Sequence, residues 1–300
     1  MRRSDWVLLI VLSLLWGGSF MFVEVALRGL PPVSVVFGRV ALAALILGGV
    51  LAARGLALPR RAWGAALVMG FLNNAVPFML FALAQGRIDG ALAAIVNATT
   101  PLWTVVVAHL FTTDERITPA KAAGLAFGIC GVAVMVGGAS GGEALAIIAC
   151  LGAALSYGFA GVWGRRFKRM GVPPLATAFG QVTAASLLLF PVWLLHDRPL
   201  ALPAPGAGPL LAVLAMATLS TALAYLIFFR LLASAGPTNL SLVTFLIPVS
   251  AAAMGVLFLN EALLPRHLAG FLLIAAGLVA MDGRGAKWLA RQQGAARDAK

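Results

Sequence analysis

Charged residues are scarce in this sequence, and so are cysteines. Asp, Glu, Lys and Arg make up 11% of the 300 residues, while apolar residues make up 61%. Charged residues are roughly a quarter of a typical soluble domain, so a soluble chain of this length could not hide its apolar surface. Cys130 and Cys150 both lie in apolar stretches. A framework of disulfides is therefore excluded as well.

Titratable groups are also few, with ten acidic residues and three histidines. His109, His196 and His267 stand far apart, and no spacing of Cys, Asp or Glu in the sequence is typical of a metal site. The apolar stretches contain no Ser-His-Asp set and no phosphate-binding loop. An enzyme working within a membrane would need paired titratable groups at depth. We therefore expect no metal, no cofactor and no enzymatic activity.

Long apolar stretches are what the sequence has in abundance. Most are about 20 residues long, which is the length that crosses a bilayer as a helix. They are continuous rather than alternating, which favours helices over a barrel. We predict an all-α integral membrane protein with ten transmembrane helices, at about residues 5–27, 32–53, 62–84, 88–110, 118–138, 143–164, 174–195, 209–232, 238–259 and 266–282.

The net charge of +12 is a signal of orientation rather than of nucleic-acid binding. With the N-terminus inside, seventeen of the 22 basic residues fall in segments on the cytoplasmic side and four in segments outside. Arg39 alone lies within a predicted helix. This bias follows the positive-inside rule and predicts that both termini are cytoplasmic. We expect lipid, and no nucleic acid, as a partner.

The second half of the sequence repeats landmarks of the first. Four residues recur 146 positions later, and one proline recurs one position beyond that spacing: Glu115, Pro119, Gly124, Gly131 and Pro101 correspond to Glu261, Pro265, Gly270, Gly277 and Pro248. We place the first repeat at 1–139, the second at 140–284 and a basic cytoplasmic tail at 285–300. Each repeat has five helices, an odd number, so the second enters the membrane inverted. Inverted repeats are a recurring plan of secondary transporters.

Polar side chains at the middle of predicted helices indicate where the two repeats enclose a space. They lie on the first, third, fourth, sixth, eighth and ninth helices, among them Trp16, Asn73, Asn97, Thr100, Tyr225 and Thr244. A polar group facing lipid is costly, so these six helices should turn inward, leaving the other four, the second, fifth, seventh and tenth, outside. We predict a substrate-binding cavity lined by those residues, with Asn97 and Thr244 facing one another.

Pro101 and Pro248 are predicted hinges within the fourth and ninth helices. Proline has no N–H, so the carbonyls of Asn97 and Thr244 lose their helical partners and become available to a ligand. The alternative is that the prolines only kink the helices, with neighbouring groups satisfying the carbonyls.

Trp16-Gly17-Gly18-Ser19-Phe20 lies in the first predicted helix, and Leu257-Phe258-Leu259-Asn260-Glu261 closes the ninth. The first segment resembles the opening, and the second the ending, of an EamA-type repeat of the drug/metabolite transporter superfamily. The resemblance implies a cavity enclosed by the same six helices. It also implies aromatic walls on the third, fourth and sixth, at Phe78, at Thr100 or Trp103, and at Trp163. Thr100 stands where an aromatic residue is expected.

The resemblance implies a secondary transporter in the bacterial inner membrane that exports small metabolites, neutral and aromatic amino acids among them, by alternating access. Proton-coupled efflux of drugs or other metabolites is the alternative, although Glu24 lies too close to a helix end for a mid-depth carboxylate. A sugar-phosphate carrier would need several basic residues in the cavity. We expect a monomer or a weak homodimer.

Glu24 and Arg39 are the one pair of opposite charges at membrane depth, near the outer ends of the first two helices. A long arginine side chain can reach outward along a helix, so we predict an ion pair between them. Glu115 and Glu261 are expected to cap or orient the fifth and tenth helices near their N-termini, where the helix dipole favours an acid.

Overall fold

The computed structural model describes residues 2–282, so the predicted tail at 285–300 lies outside the described residues. Every regular element between residues 2 and 282 is helical. Eight of these helices are long and apolar enough to cross a membrane. They are α1 Arg3–Leu27, α2 Pro32–Ala53, α3 Arg60–Ala84, α4 Gly90–Phe111, α5 Pro119–Val136, α6 Gly141–Arg169, α7 Pro174–Asp197 and α8 Ala207–Gly236. Two shorter apolar helices follow, α9 Val243–Leu259 and α10 Pro265–Met281.

Several helices are interrupted along their length. A wider π-helical turn at Phe71–Ala75 divides α3 just before Pro77, whose missing N–H cannot serve the carbonyl four residues back. A longer π-helical segment, Met216–Leu223, occurs in α8. Helix α4 is broken between Gly90–Asn97 and Thr100–Phe111. The matched helices α3 and α8, one from each half, thus carry the same kind of irregularity.

Helices α5 and α10 pack together through the repeated glycines. A Cβ on Gly124 would lie 2.5 Å from the Gly277 carbonyl oxygen, and one on Gly131 would lie 2.7 Å from the Gly270 carbonyl oxygen. Such contacts leave no room for side chains, so the two backbones touch. Gly124 comes before Gly131 while its partner Gly277 comes after Gly270, which means that the helices run antiparallel. Corresponding helices of inverted repeats should run antiparallel.

Carboxylates hold helix ends together at both ends of the bundle. At the end that we call the acidic end, Asp197 of α7 accepts hydrogen bonds from the Ser34 backbone N–H at 2.7 Å and from its hydroxyl at 2.6 Å. The Glu261 carboxylate accepts from the backbone N–H groups of Gly90 at 3.2 Å and Ala91 at 2.9 Å. Glu261 therefore caps α4, not α10 as expected.

At the other end, the basic end, Arg165 of α6 pairs with Asp114 at 3.0 Å and with Glu115. Lys121 lies 3.8 Å from the second oxygen of Glu115. The Glu115 carboxylate thus joins the segment between α4 and α5 to the end of α6, and the predicted cap of α5 is made instead by the Thr118 hydroxyl. Ion pairs of this exposure add little stability, but they fix which helix ends meet.

The outer faces of the helices expose large apolar side chains, including Leu45, Ile129, Ile148, Leu257 and Leu272. A protein in water would bury such side chains, whereas a bilayer accommodates them. The prediction of an all-helical membrane protein is therefore confirmed.

Candidate functional site

A cavity of about 550 Å³ lies inside the bundle, and seven of the eight predicted binding residues line it. These are Trp16, Asn73, Phe78, Asn97, Thr100, Tyr225 and Thr244. The volume is in the usual range for a small-molecule site. All six helices expected to turn inward contribute to the wall, and neither α5 nor α10 does.

The predicted site nevertheless omitted two helices. Val35, Val36 and Arg39 of α2 and Thr177 and Gln181 of α7 also line the cavity. The sequence predicts that both helices lie outside the cavity wall, and this prediction is wrong for α2 and for α7. Comparison of the two halves could have predicted this, because Val35 and Arg39 of the first half correspond to Thr177 and Gln181 of the second at one common spacing.

The first helix of each repeat, α1 or α6, lines the cavity at matching positions. Trp16, Ser19, Phe20 and Val23 of α1 line the cavity, and so do Tyr157, Ala160, Gly161 and Gly164, each 141 positions later on α6. Equivalent positions of the two repeats therefore face one space. Of these eight residues, the sequence predicts only Trp16 in the site, and its equivalent Tyr157 is not among the predicted residues.

An amide and hydroxyl network joins four helices, α3, α6, α7 and α8, on one side of the cavity. The Asn73 side-chain nitrogen donates to the Gln181 side-chain oxygen at 3.0 Å and to the Tyr225 hydroxyl at 3.4 Å. The Asn74 nitrogen donates to the same hydroxyl at 3.1 Å. Asn73 and Asn74 lie in the π-helical turn of α3, and the Leu72 carbonyl there accepts from the Ser156 hydroxyl at 2.6 Å. The network fixes the side chains that a ligand would meet.

The break in α4 is closed by the hydroxyl of Thr100. That hydroxyl lies 2.8 Å from the Asn97 carbonyl oxygen and 3.2 Å from the Asn97 side-chain oxygen. The carbonyl freed by Pro101 is thus satisfied within the protein, which corrects the prediction that it is available to a ligand. Within residues 2–282, the Asn97 side-chain nitrogen has no hydrogen-bond partner, so it is the group that Asn97 can offer.

Thr244 lies in α9, and its backbone N–H donates to the Ser241 carbonyl at 3.1 Å. Asn97 and Thr244 line the same cavity, with no hydrogen bond between them. Pro248, the second predicted hinge, is buried inside the first segment of α9, Val243–Met254. Pro101 instead follows the break in α4 as the second residue of its new segment.

Aromatic rings form much of the remaining wall. The ring centroids of Trp16 and Phe228 lie 5.6 Å apart, and those of Phe81 and Tyr157 lie 6.3 Å apart. Rings at such spacings attract one another and present large, rigid apolar faces. The site thus joins apolar surfaces to a few fixed polar groups.

Trp163 does not line the cavity. Its indole N–H donates to the Ala65 carbonyl at 3.1 Å, and the Arg166 guanidinium carbon lies 5.0 Å from the ring centroid. The residue is near the basic end of α6, where its amphipathic ring packs against α3. Its predicted place in the site was therefore wrong.

The predicted ion pair of Glu24 with Arg39 is also wrong. Glu24 pairs with Arg28 one helical turn away, at 3.4 Å. Arg39 points into the bundle, where its Nε donates to the Thr221 hydroxyl at 3.0 Å and its guanidinium carbon lies 3.8 Å from the Phe78 ring centroid. Its side chain took the inward direction because polar and aromatic partners were available there.

Together these features define a helical membrane protein with a polar and aromatic cavity enclosed by two related halves. The EamA-like transporter family matches residues 5–137 and 144–281, and the chain belongs to that family. It is thus an EamA-type protein of the drug/metabolite transporter superfamily in the bacterial inner membrane, as predicted. It is a transporter and not an enzyme, and it takes a small-molecule substrate.

Relatives agree with this assignment. The chain is 27% identical to "Uncharacterized inner membrane transporter YedA" of Escherichia coli K12 over 251 residues, covering 82% of this chain and 80% of the relative. It is 26% identical to "Probable amino-acid metabolite efflux pump" of Salmonella typhimurium over 292 residues, 93% and 94% of the two chains. A solved crystal structure of a protein 21% identical to it covers 94% of this chain and 98% of its own, with a TM-score of 0.64. That structure supports the fold alone.

Proposed function

We propose that the protein exports small metabolites, neutral and aromatic amino acids among them, by alternating access of its cavity to the two sides of the membrane. The ten helices cross the bilayer as two inverted repeats of five, with both termini in the cytoplasm. The single observation that supports this most strongly is that equivalent residues of the two halves line one cavity. In such a design, rocking one half against the other exposes the same site to each side in turn.

The wall suits a small molecule with both polar and apolar parts. Asn97, Thr100 and Thr244 offer amide and hydroxyl groups, while Trp16 and Phe78 offer ring faces. No Asp, Glu or His lines the cavity among the described residues. Proton-coupled efflux of a cationic drug would call for such a carboxylate, so metabolite export is the better fit. Export as the direction follows the resemblance and one relative's name.

The broken helices give the cavity a means of changing shape. Helix α4 is interrupted beside Asn97, and Pro248 interrupts the hydrogen-bond ladder of α9. We propose that Pro101 and Pro248 are the hinges of the cycle. Replacing Pro101 by Ala restores an N–H that can bond the Asn97 carbonyl in place of the Thr100 hydroxyl. We expect Pro101→Ala to slow transport with little change in apparent affinity.

The test is uptake of free amino acids by proteoliposomes that contain the purified protein, followed by variants of the cavity. Loss of one hydrogen bond to a charged ligand group costs about 1.5–3 kcal/mol, or about ten- to a hundredfold in affinity. We expect Asn97→Ala and Thr244→Val to weaken apparent affinity by that factor. Thr218→Val is the matched control, because the Thr218 hydroxyl bonds the Leu214 carbonyl of its own helix at 2.7 Å, away from the cavity. Wild-type transport by both cavity variants would place the site elsewhere.

A further inference from the structure

Arg39 is the one charged residue among the described residues that line the cavity. Its side chain is buried, with 8% of its surface exposed. No carboxylate lies within 4 Å of it in the described part of the chain, whereas Arg28, Arg165 and Arg266 each have one. A buried charge normally has a partner of opposite sign, because leaving it unpaired in a low dielectric is costly. The missing partner points to a ligand.

The guanidinium is held in one orientation. Nε donates to the Thr221 hydroxyl at 3.0 Å, and that hydroxyl lies 2.9 Å from the Met216 carbonyl oxygen, five residues back in the π-helical segment. The Phe78 ring covers one face of the guanidinium at 3.8 Å. These contacts use Nε and one face only. The two terminal nitrogens have no hydrogen bond to any described residue, so their paired N–H groups are left for another molecule.

That pair of N–H groups matches a carboxylate. A guanidinium binds two carboxylate oxygens through parallel hydrogen bonds, a geometry that lysine cannot reproduce. The Phe78 ring and the aromatic rings of Trp16 and Tyr157 would then contact the apolar remainder of the ligand. The position of Arg39 in the second half is occupied by the neutral Gln181, which bonds to Asn73. The cavity therefore supplies one cation, enough for a single anionic group.

The same wall holds no acidic side chain for a substrate ammonium. A zwitterionic amino acid would leave its positive group to neutral oxygens and ring faces, which bind it more weakly than a carboxylate does. A molecule whose net charge is −1 would match the cavity charge completely.

Within the function proposed above, we infer that Arg39 binds the carboxylate of the substrate and that the substrates are small organic monocarboxylates with an apolar or aromatic remainder, for which an amino group is not required. The inference rests on the cavity being the transport site. It extends the proposal from amino acids to carboxylates without an ammonium group.

The test compares three molecules that share one side chain and differ in charge. Phenylalanine is zwitterionic, N-acetylphenylalanine keeps only the carboxylate, and phenylalaninamide keeps only the amine; leucine gives a second series. Binding to the purified protein and uptake into proteoliposomes are measured for each. We expect the N-acetyl acid to bind at least as tightly as the amino acid, and the amide about ten- to a hundredfold more weakly, as for a lost bond to a charged group.

Variants of Arg39 then test whether this residue causes the preference for the acids over the amide. We expect Arg39→Gln to bind acid and amide equally weakly. Arg39→Lys keeps the charge but loses the paired N–H groups of the guanidinium, so we expect it to retain part of the preference. Arg28→Gln is the matched control, since Arg28 is exposed and pairs with Glu24 outside the cavity, and its preference should equal that of the wild type. If Arg39→Gln does not fold, the wild-type series and Arg39→Lys still test whether Arg39 binds the carboxylate.

The outcomes separate the two proposals. If the wild type binds and transports the amide as well as the acids, or if Arg39→Gln keeps the wild-type preference, the assignment of Arg39 is overturned while metabolite transport stands. If only zwitterions bind and the N-acetyl acids do not, the inferred substrate class is overturned. If no member of either series binds or is transported, both proposals fail together.

Discussion

Gly131→Ala should destabilise the protein, although alanine favours helices more than glycine does. The new Cβ would lie 2.7 Å from the Gly270 carbonyl oxygen and 2.9 Å from a side-chain carbon of Ile274. Carbon and carbonyl oxygen normally approach to about 3.3 Å, so α5 and α10 must separate by about 0.6 Å. A gap of about that size forfeits roughly a quarter or more of the dispersion energy of each contact along the interface. We expect a net loss of up to about 2.5 kcal/mol, since overpacking costs about 1–3 kcal/mol and removal of glycine returns about 0.5–1 kcal/mol.

The measurement is thermal unfolding of the purified protein in detergent. Gly49→Ala is the matched control, because Gly49 also lies within a helix but a Cβ there would have no atom within 4 Å; it should be neutral or stabilising. The double variant Gly131→Ala with Gly270→Ala should cost less than the sum of the single changes, because the first change already separates the helices. Substrate affinity should be unchanged, since neither glycine lines the cavity. A stabilised Gly131→Ala protein, or strict additivity, would refute the reasoning.

Two further predictions concern the ends of the bundle. Burial, with the nearby carboxylates of Glu24 and Asp89, raises the pKa of Glu261 from 4.5 to about 7. Between these pH values the folded protein keeps a proton that the unfolded chain has lost, so its stability should fall as pH rises from about 4.5 to about 7. Thermal unfolding measured across this range should show the fall, and Glu261→Gln should flatten it. The raised pKa of Asp89, also caused mainly by burial, acts in the same direction. An increase in stability over this range would contradict the raised pKa of Glu261. In a background without Cys130 and Cys150, a cysteine replacing the exposed Gly141 should react with an impermeant reagent in intact cells, whereas one replacing Arg60 should react only after permeabilisation; the reverse pattern would invert the proposed topology.

The helices could be predicted from the sequence because the bilayer sets their length. Helix α2 was expected at 32–53 and is found at Pro32–Ala53. The interior of a membrane satisfies no backbone polar group, so each span must be a nearly continuous apolar helix, and its ends show as charges, glycines and prolines. Mid-depth polarity predicted six of the cavity residues for a related reason, since lipid leaves a polar side chain only the interior, whereas Phe78 was predicted from the family resemblance.

The irregular turns could not be predicted in the same way. Pro101 indicated a disturbance in α4, but the sequence did not show that the Thr100 hydroxyl would take over the freed carbonyl. A threonine one residue before a proline has several local hydrogen bonds available, and tertiary packing selects among them. The π-helical segment of α8 contains no proline at all. Trp163 illustrates another limit, because an amphipathic ring at a helix end suits a cavity wall, a lipid interface or a neighbouring helix equally well.

The inward direction of Arg39 shows why rotation about a helix axis is hard to read in a membrane protein. The buried residues of α2 include Val36, Arg39, Val40, Ala43 and Leu47, a stripe at helical spacing. In water such a stripe would stand out against polar residues on the opposite face. In lipid both faces are apolar, so the periodicity that would have placed Arg39 on the buried side is absent from the sequence. Comparison of the repeats supplies what periodicity does not: a polar residue stands at the same position in both halves, Arg39 in one and Gln181 in the other. Since an inverted repeat brings equivalent positions to its axis, the two should have been expected to share the cavity that they line.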